Sequence, residues 1–267
     1  MSRVRIVVGV AAVAAAAVVL ALTLSSPGGP PPGSRAVCEQ LVVPAYFEPV
    51  SWPAAYRGVK PPRDMVLDVS GVGAGSAPQP DFRAAVAAAR AAGVTVLGYI
   101  STVEGRRPLS EVETEIRDYA DWYGVTSVFL DRASGQLPQL GYYRAIADYV
   151  RSRDPGAQLW LNPGDYPDPA YMSLGGVEMT FEGTYADYTG AAGAAVPAWV
   201  RRYPASRFAH TVYAVPAAGL ASALRLARAR NAGHVYVTDG DGGNPYQALP
   251  DYWSAESAAV ASCGGGR

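Results

Sequence analysis

Between residues 41 and 239, short and largely uncharged runs alternate with longer stretches of helical spacing. The short runs cover 41–46, 65–69, 94–100, 127–131, 158–162, 177–182, 208–215 and 234–239. Each is rich in β-branched or aromatic residues, the pattern of a strand buried on both faces. The stretches between them read as amphipathic helices over 81–92, 109–123, 139–153, 217–231 and 246–262. Ser110-Glu-Val-Glu113 has the form of a capping box for the second of these, and Gly124 marks its end. Strict β/α alternation builds parallel sheets with right-handed crossovers. Eight repeats in a stretch of this length predict an α/β fold, a closed (β/α)8 TIM barrel in a single domain.

The ends of the chain follow other rules. Arg3 and Arg5 precede an apolar run over 6–24 that carries no charge. A basic flank, an apolar stretch and a polar exit form an export signal, so residues 1–25 are expected to be a cleaved signal peptide or an uncleaved membrane anchor. Residues 26–36, rich in Pro and Gly, read as a solvated linker. The barrel domain is expected over 37–263, with a tail at 264–267. Both readings of the first segment put the barrel outside the cytoplasm, secreted or anchored. Cys38 and Cys263, the two cysteines of the chain, bracket the domain. In an oxidising compartment they are expected to pair, and barrel closure brings the first and last elements together.

Composition narrows the chemistry. The 267 residues carry Lys+Arg 22 against Asp+Glu 23, a net charge of −1. That balance argues against a nucleic-acid partner and leaves membrane contact to the N-terminal segment alone. Two histidines and two cysteines are too few for a zinc cluster, and no metal or cofactor is expected. Gly71-Val-Gly73-Ala-Gly75 lacks the last glycine of a dinucleotide fingerprint, and the 238–244 loop fails the calcium-loop spacing. His210 is read as a core or rim hydrogen-bonder, and His234 as part of the opposite, stability face. Tyr 17 and Trp 5 together outnumber Phe 5, as suits a surface that stacks on and hydrogen-bonds a polar ring.

In such a barrel the chemistry stands at the C-terminal ends of the strands. Asp131 and Glu182 each close an apolar strand, and a pair of carboxylates is what glycosidic hydrolysis requires. Asp131 is expected to be the nucleophile and Glu182 the general acid/base. Tyr46, Asp68, Tyr99, Thr102, Arg132, Asn162, Tyr213 and Asp239 are expected to bind substrate. Asp68 also has the position of a helix cap, and Asp239 that of a turn-forming loop acid.

Leu41-Val-Val-Pro-Ala-Tyr46, Gly93-Val-Thr-Val-Leu-Gly-Tyr-Ile-Ser-Thr102, Tyr119-Ala-Asp-Trp-Tyr123, Val128-Phe-Leu-Asp131, Asn162-Pro-Gly164, Phe181-Glu182 and Tyr246-Gln-Ala-Leu-Pro-Asp-Tyr-Trp253 occur in that order. Together they resemble the spherulin-4 family. The resemblance implies a TIM-barrel glycoside hydrolase acting on galactosaminogalactan, related to the endo-α-1,4-polygalactosaminidases. It places the family's acids at Asp131, at the position of Arg132, and at Glu182. The family's Asp-Glu is Asp131-Arg132 here, and its Asn-Pro-x-Ser-Gly-Pro-Gly segment is Asp68-Val69-Ser70-Gly71-Val72-Gly73. The expected function is an exported, monomeric hydrolase of an amino-sugar polysaccharide. A non-catalytic glycan-binding protein on a relict barrel, and a hydrolase of another galactose-type glycan, stand as alternatives.

Overall fold

Eight parallel strands close into one barrel, each hydrogen-bonded to its neighbours in chain order and the last to the first. The computed structural model describes residues 38–57, 59–69, 71, 73–190 and 195–263. The expected export segment, linker and tail lie outside the described residues. The strands are β1 (Gln40–Ala45), β2 (Asp64–Leu67), β3 (Thr95–Ser101), β4 (Ser127–Asp131), β5 (Leu159–Leu161), β6 (Val177–Thr184), β7 (Phe208–Tyr213) and β8 (His234–Val237). Around them lie α1 (Pro53–Tyr56), α2 (Pro80–Ala91), α3 (Leu109–Tyr123), α4 (Leu140–Arg153), α5 (Tyr185–Thr189), α6 (Leu220–Ala229) and α7 (Trp253–Cys263). The TIM barrel read from the pattern is the fold of the chain. Among the described residues, no helix is long and apolar enough to cross a membrane.

Strand periodicity sorts the core into two shells. Val42, Val66, Leu97, Phe129, Trp160, Met179 and Ala209, one from each of the first seven strands, fill the barrel interior. The alternate residues, such as Val43, Leu67, Leu130 and Leu161, pack outward against the helices. Above the interior plug, the next inward positions are free to carry polar groups.

Several element ends differ from the expectation. The strand read over 208–215 stops at Tyr213 because Ala214 turns into the left-handed region at φ 54. Helix α3 begins at Leu109 with Pro108 at its cap, so Ser110 lies inside the first turn and the capping box does not form. The crossover between β5 and β6 is a 3-10 helix, Pro169–Leu174, rather than an α-helix. The last helix starts at Trp253, not at 246, since Pro250, without an N–H, cannot bond back to the Tyr246 carbonyl and would clash with it.

Helix α7 returns the C-terminus to the first strand, and Cys38 and Cys263 are disulfide-bonded with Cα atoms 5.4 Å apart. The same helix buries Glu256, which accepts the Val237 N–H of β8 at 2.8 Å. His210 is wholly buried between the Tyr188 hydroxyl and Thr180. His234 lies at the N-terminal end of the barrel, its Nδ1 3.6 Å from Asp64.

Candidate active site

At the C-terminal mouth, Tyr46, Asp68, Tyr99, Asp131, Glu182, Tyr213 and Tyr246 line a cavity of about 480 Å³. Asp131 is the last residue of β4 and continues the inward row that begins with Phe129. Tyr99 continues the row of Leu97 on β3 in the same way. Glu182 reaches the cavity by a different route. Met179 faces the interior, so strict alternation along β6 would send Phe181 inward and Glu182 outward. A β-bulge intervenes: Met179 pairs with Ala209, but Phe181 pairs with His210, the very next residue of β7. The extra residue reverses the facing of everything after it. Phe181 packs against Tyr188 on the helix side at 4.5 Å, and Glu182 aligns with Thr211 on the inward face.

Asn162, just beyond β5 and almost fully buried, joins the two acids. Its Nδ2 donates to Oδ1 of Asp131 at 2.8 Å and to Oε2 of Glu182 at 2.5 Å. The Tyr99 hydroxyl donates to Oδ2 of Asp131 at 2.7 Å, and the Tyr246 hydroxyl to Oε1 of Glu182 at 2.7 Å. All four carboxylate oxygens thus have a donor. The phenols are arranged as a group, Tyr46 meeting Tyr99 and Tyr246 edge-on at 5.6 and 5.7 Å.

Burial is the main electrostatic force on these groups. It raises Glu182 above the ordinary carboxylate range; the hydrogen bonds from Asn162 and Tyr246 oppose the rise, and the charge of Asp131 adds to it. Burial and the neighbouring acids also push Tyr46, Tyr99 and Tyr246 far up, so the phenols stay protonated and serve as donors. The arrangement sets a carboxyl that burial holds above its ordinary range beside a second acid, with neutral donors around both.

Tyr99 is itself held from behind. The Tyr119 hydroxyl of α3 donates to the carbonyls of Leu67 and Tyr99 at 3.0 and 2.8 Å. Its ring lies so close to β3 that a Cβ at Gly98 would meet it at 2.6 Å. Asp68 accepts the Gly73 N–H at 2.9 Å, fixing the glycine-rich turn at one side of the cavity instead of capping a helix.

Three expected binding residues are not brought to this cavity. Thr102 is completely buried, its hydroxyl directed at backbone carbonyls and at Tyr143. Arg132 has φ 47, and its side chain is exposed, with no ion pair to Asp131 among the described residues. Asp239 lines a neighbouring hollow and accepts the Asp251 N–H at 3.2 Å, the turn-forming role open to it from its loop. Tyr246 is the residue that pattern reading passed over. Among the described residues, no group of three or more His, Cys, Asp or Glu could hold a metal ion.

A family model described as Spherulation-specific family 4 matches residues 40–260. Spherulin-4 of Physarum polycephalum is 30% identical over 235 residues, covering 83% of this chain and 70% of that protein. Among solved structures, Aspergillus clavatus Sph3 in complex with GalNAc aligns with a TM-score of 0.73 at 23% identity, over 85% of this chain and 99% of that one. Active domain 2 of the thermostable chitinase of Pyrococcus furiosus, as catalytic-site mutants with chito-oligosaccharides, aligns at 0.52 and 12% identity, over 86% and 97%. Both structures share the barrel. The chain belongs to the Spherulation-specific family 4.

Proposed function

We propose that this member of the family is an exported glycoside hydrolase that cuts within an amino-sugar-containing polysaccharide of the galactosaminogalactan type. The observation that carries the reading is the shared Nδ2 of Asn162. Two acids bonded to one nitrogen, at 2.8 and 2.5 Å, face the same cavity at close range. The two N–H bonds of a planar amide diverge by about 120°, which sets the facing oxygens roughly 4.5–5 Å apart. That spacing suits a retaining mechanism, for which carboxyl groups stand about 5–5.5 Å apart, rather than the ~6.5–9.5 Å of inverting enzymes.

In this reading the Asp131 carboxylate attacks the anomeric carbon while Glu182, holding its proton through burial, delivers it to the departing glycosidic oxygen. The leaving chain departs as an alcohol and an aspartyl ester of the sugar remains. Glu182, now a carboxylate, takes a proton from water, whose oxygen displaces Asp131 and regenerates both groups. Asn162 and Tyr99 spread the charge of Asp131, and Tyr246 steadies Glu182 as its proton comes and goes. The tyrosine edges and faces suit a sugar ring. The amino-sugar assignment draws on family membership and on the GalNAc bound by Sph3. Export draws on the disulfide and on the basic and apolar opening of the chain.

A relict binding barrel has no need for two acids to converge on a common donor. The test is to incubate residues 36–267 with galactosamine-rich and galactose-rich polysaccharides and measure new reducing ends. Release from the amino-sugar polymers is expected, and Asp131→Asn and Glu182→Gln should abolish it. Binding of those polymers with no new reducing ends would return the protein to the non-catalytic reading.

A further inference from the structure

Immediately after Asp131 the backbone does something costly. Arg132 sits at φ 47, and across from it Val103 and Glu104 sit at φ 50 and 58. Non-glycine residues enter the left-handed region at a cost of about 1–3 kcal/mol each, and a β-branched valine is especially disfavoured there. Such turns persist only when their surroundings impose them.

The imposing contacts are on hand. The Thr102 N–H donates to the Asp131 carbonyl at 2.9 Å, and the Glu104 N–H to the Arg132 carbonyl at 2.7 Å. The Thr102 hydroxyl lies 3.1 and 3.0 Å from the same two carbonyls, and 3.0 Å from the Tyr143 hydroxyl of α4. Tyr143 in turn accepts the Ser134 N–H at 2.7 Å. Carbonyls only accept and amides only donate, so the proton order along this chain is forced. Ser134 N–H donates to Tyr143, Tyr143 O–H donates to Thr102, and Thr102 O–H is shared between the carbonyls of Asp131 and Arg132. Thr102 and Tyr143 are both fully buried, so neither can touch a sugar.

We infer that Thr102 and Tyr143 are positioning residues, a buried hydroxyl relay that locks the Asp131–Arg132 turn and thereby aims the Asp131 carboxylate. The relay ties helix α4 to the end of β4, and the left-handed turn it enforces leaves the Arg132 side chain exposed. The inference rests on the reading of Asp131 as the attacking group. Its contribution is orientation: a reacting group displaced by an ångström loses about a hundredfold in rate.

The test compares Thr102→Val, which keeps the shape and loses the hydroxyl, with Thr102→Ser and Tyr143→Phe in the full chain. Thr102→Val and Tyr143→Phe are expected to lower kcat about tenfold or more. KM should stay within about twofold, and Thr102→Ser should recover most of the rate. A raised KM at unchanged kcat would mean that the turn shapes substrate binding rather than aiming Asp131, and a lowered Tm at unchanged kcat would make the relay purely structural; each overturns the proposal. Asp131→Asn measured alongside separates the two readings. If that variant turns over normally, the nucleophile assignment fails; if it is inactive while Thr102→Val is not, the relay alone fails. A crystal structure of Thr102→Val decides the matter without substrate. Arg132 leaving positive φ, or Asp131 leaving Tyr99 and Asn162, supports the relay, and an unchanged turn and carboxylate overturn it.

Discussion

Tyr246 donates its hydroxyl to Oε1 of Glu182 at 2.7 Å, from a loop 64 residues further along the chain. The bond favours the ionised carboxylate, so it opposes the rise that burial causes. Burial and this bond therefore pull the proton affinity of the proposed acid in opposite directions, with burial the larger.

Removing that hydroxyl should move Glu182 in a definite direction. In Tyr246→Phe the ionised form loses a donor, the carboxyl keeps its proton to higher pH, and the alkaline limb of the kcat/KM profile shifts upward. A rate loss of about tenfold to a hundredfold is expected at neutral pH, within the range of general acid–base effects. A rate loss with the limb unmoved would make Tyr246 a contact to the sugar instead.

How much of this was legible depends on how local the cause is. Asp131 closes a β4 run whose inward row, Phe129 then Asp131, follows from simple alternation, so its place could be read directly. Glu182 was found for an incomplete reason. It lies inside β6 rather than at its end, and its facing depends on a bulge against β7 that alternation along one strand cannot reveal. Tyr246 was absorbed into the last helix, although Pro250, four residues inside that span, was the available warning. Thr102 and Arg132 stand at the rim, but each lies an odd number of positions beyond an inward residue, Tyr99 and Asp131, so alternation already turns them from the cavity and nearness to the strand end alone misplaced them.

The two carboxylates should fail in distinguishable ways. Asp131→Asn and Glu182→Gln are each expected to cost about a thousandfold or more in kcat with Tm changed little. Added azide separates the roles. In Glu182→Ala it should intercept the aspartyl ester and give a glycosyl azide of retained configuration. In Asp131→Ala it should enter from the vacated face and give the inverted azide. Product stereochemistry by NMR checks the assignment, and the opposite pairing would exchange the two roles.

Gly98 carries a packing constraint that reaches the site through Tyr119. A methyl group there would meet the Tyr119 ring at 2.6 Å, and that ring is buried and cannot swing aside. Gly98→Ala should therefore destabilise the fold by about 1–3 kcal/mol, as overpacked cores do. Activity should fall as well, because the displaced Tyr119 hydroxyl holds the Tyr99 carbonyl behind Asp131. Urea melts and kcat measured together check both effects; a stable, fully active variant would show that the ring relaxes without moving Tyr99.

Glu178 makes a prediction about stability and pH. It sits on the face of β6 turned toward the helices, aligned with Leu161, fully buried and, among the described residues, with neither carboxylate oxygen hydrogen-bonded. Burial pushes its pKa up to about 8, the positive charge of Arg207 opposing the rise. The unfolded chain releases this proton near the ordinary value of 4.5. Between those two points the folded state binds more protons than the unfolded state, so stability must fall as pH rises, and the loss is complete above about 8. At about 1.4 kcal/mol per unit of pKa difference, the loss is on the order of 5 kcal/mol. Glu178→Gln is neutral throughout, so its stability should exceed that of the wild type at pH 8 and change much less between pH 5 and 8. Denaturant melts at the two pH values measure the difference, and parallel slopes for the two proteins would mean that Glu178 stays ionised in the fold, compensated by Arg207.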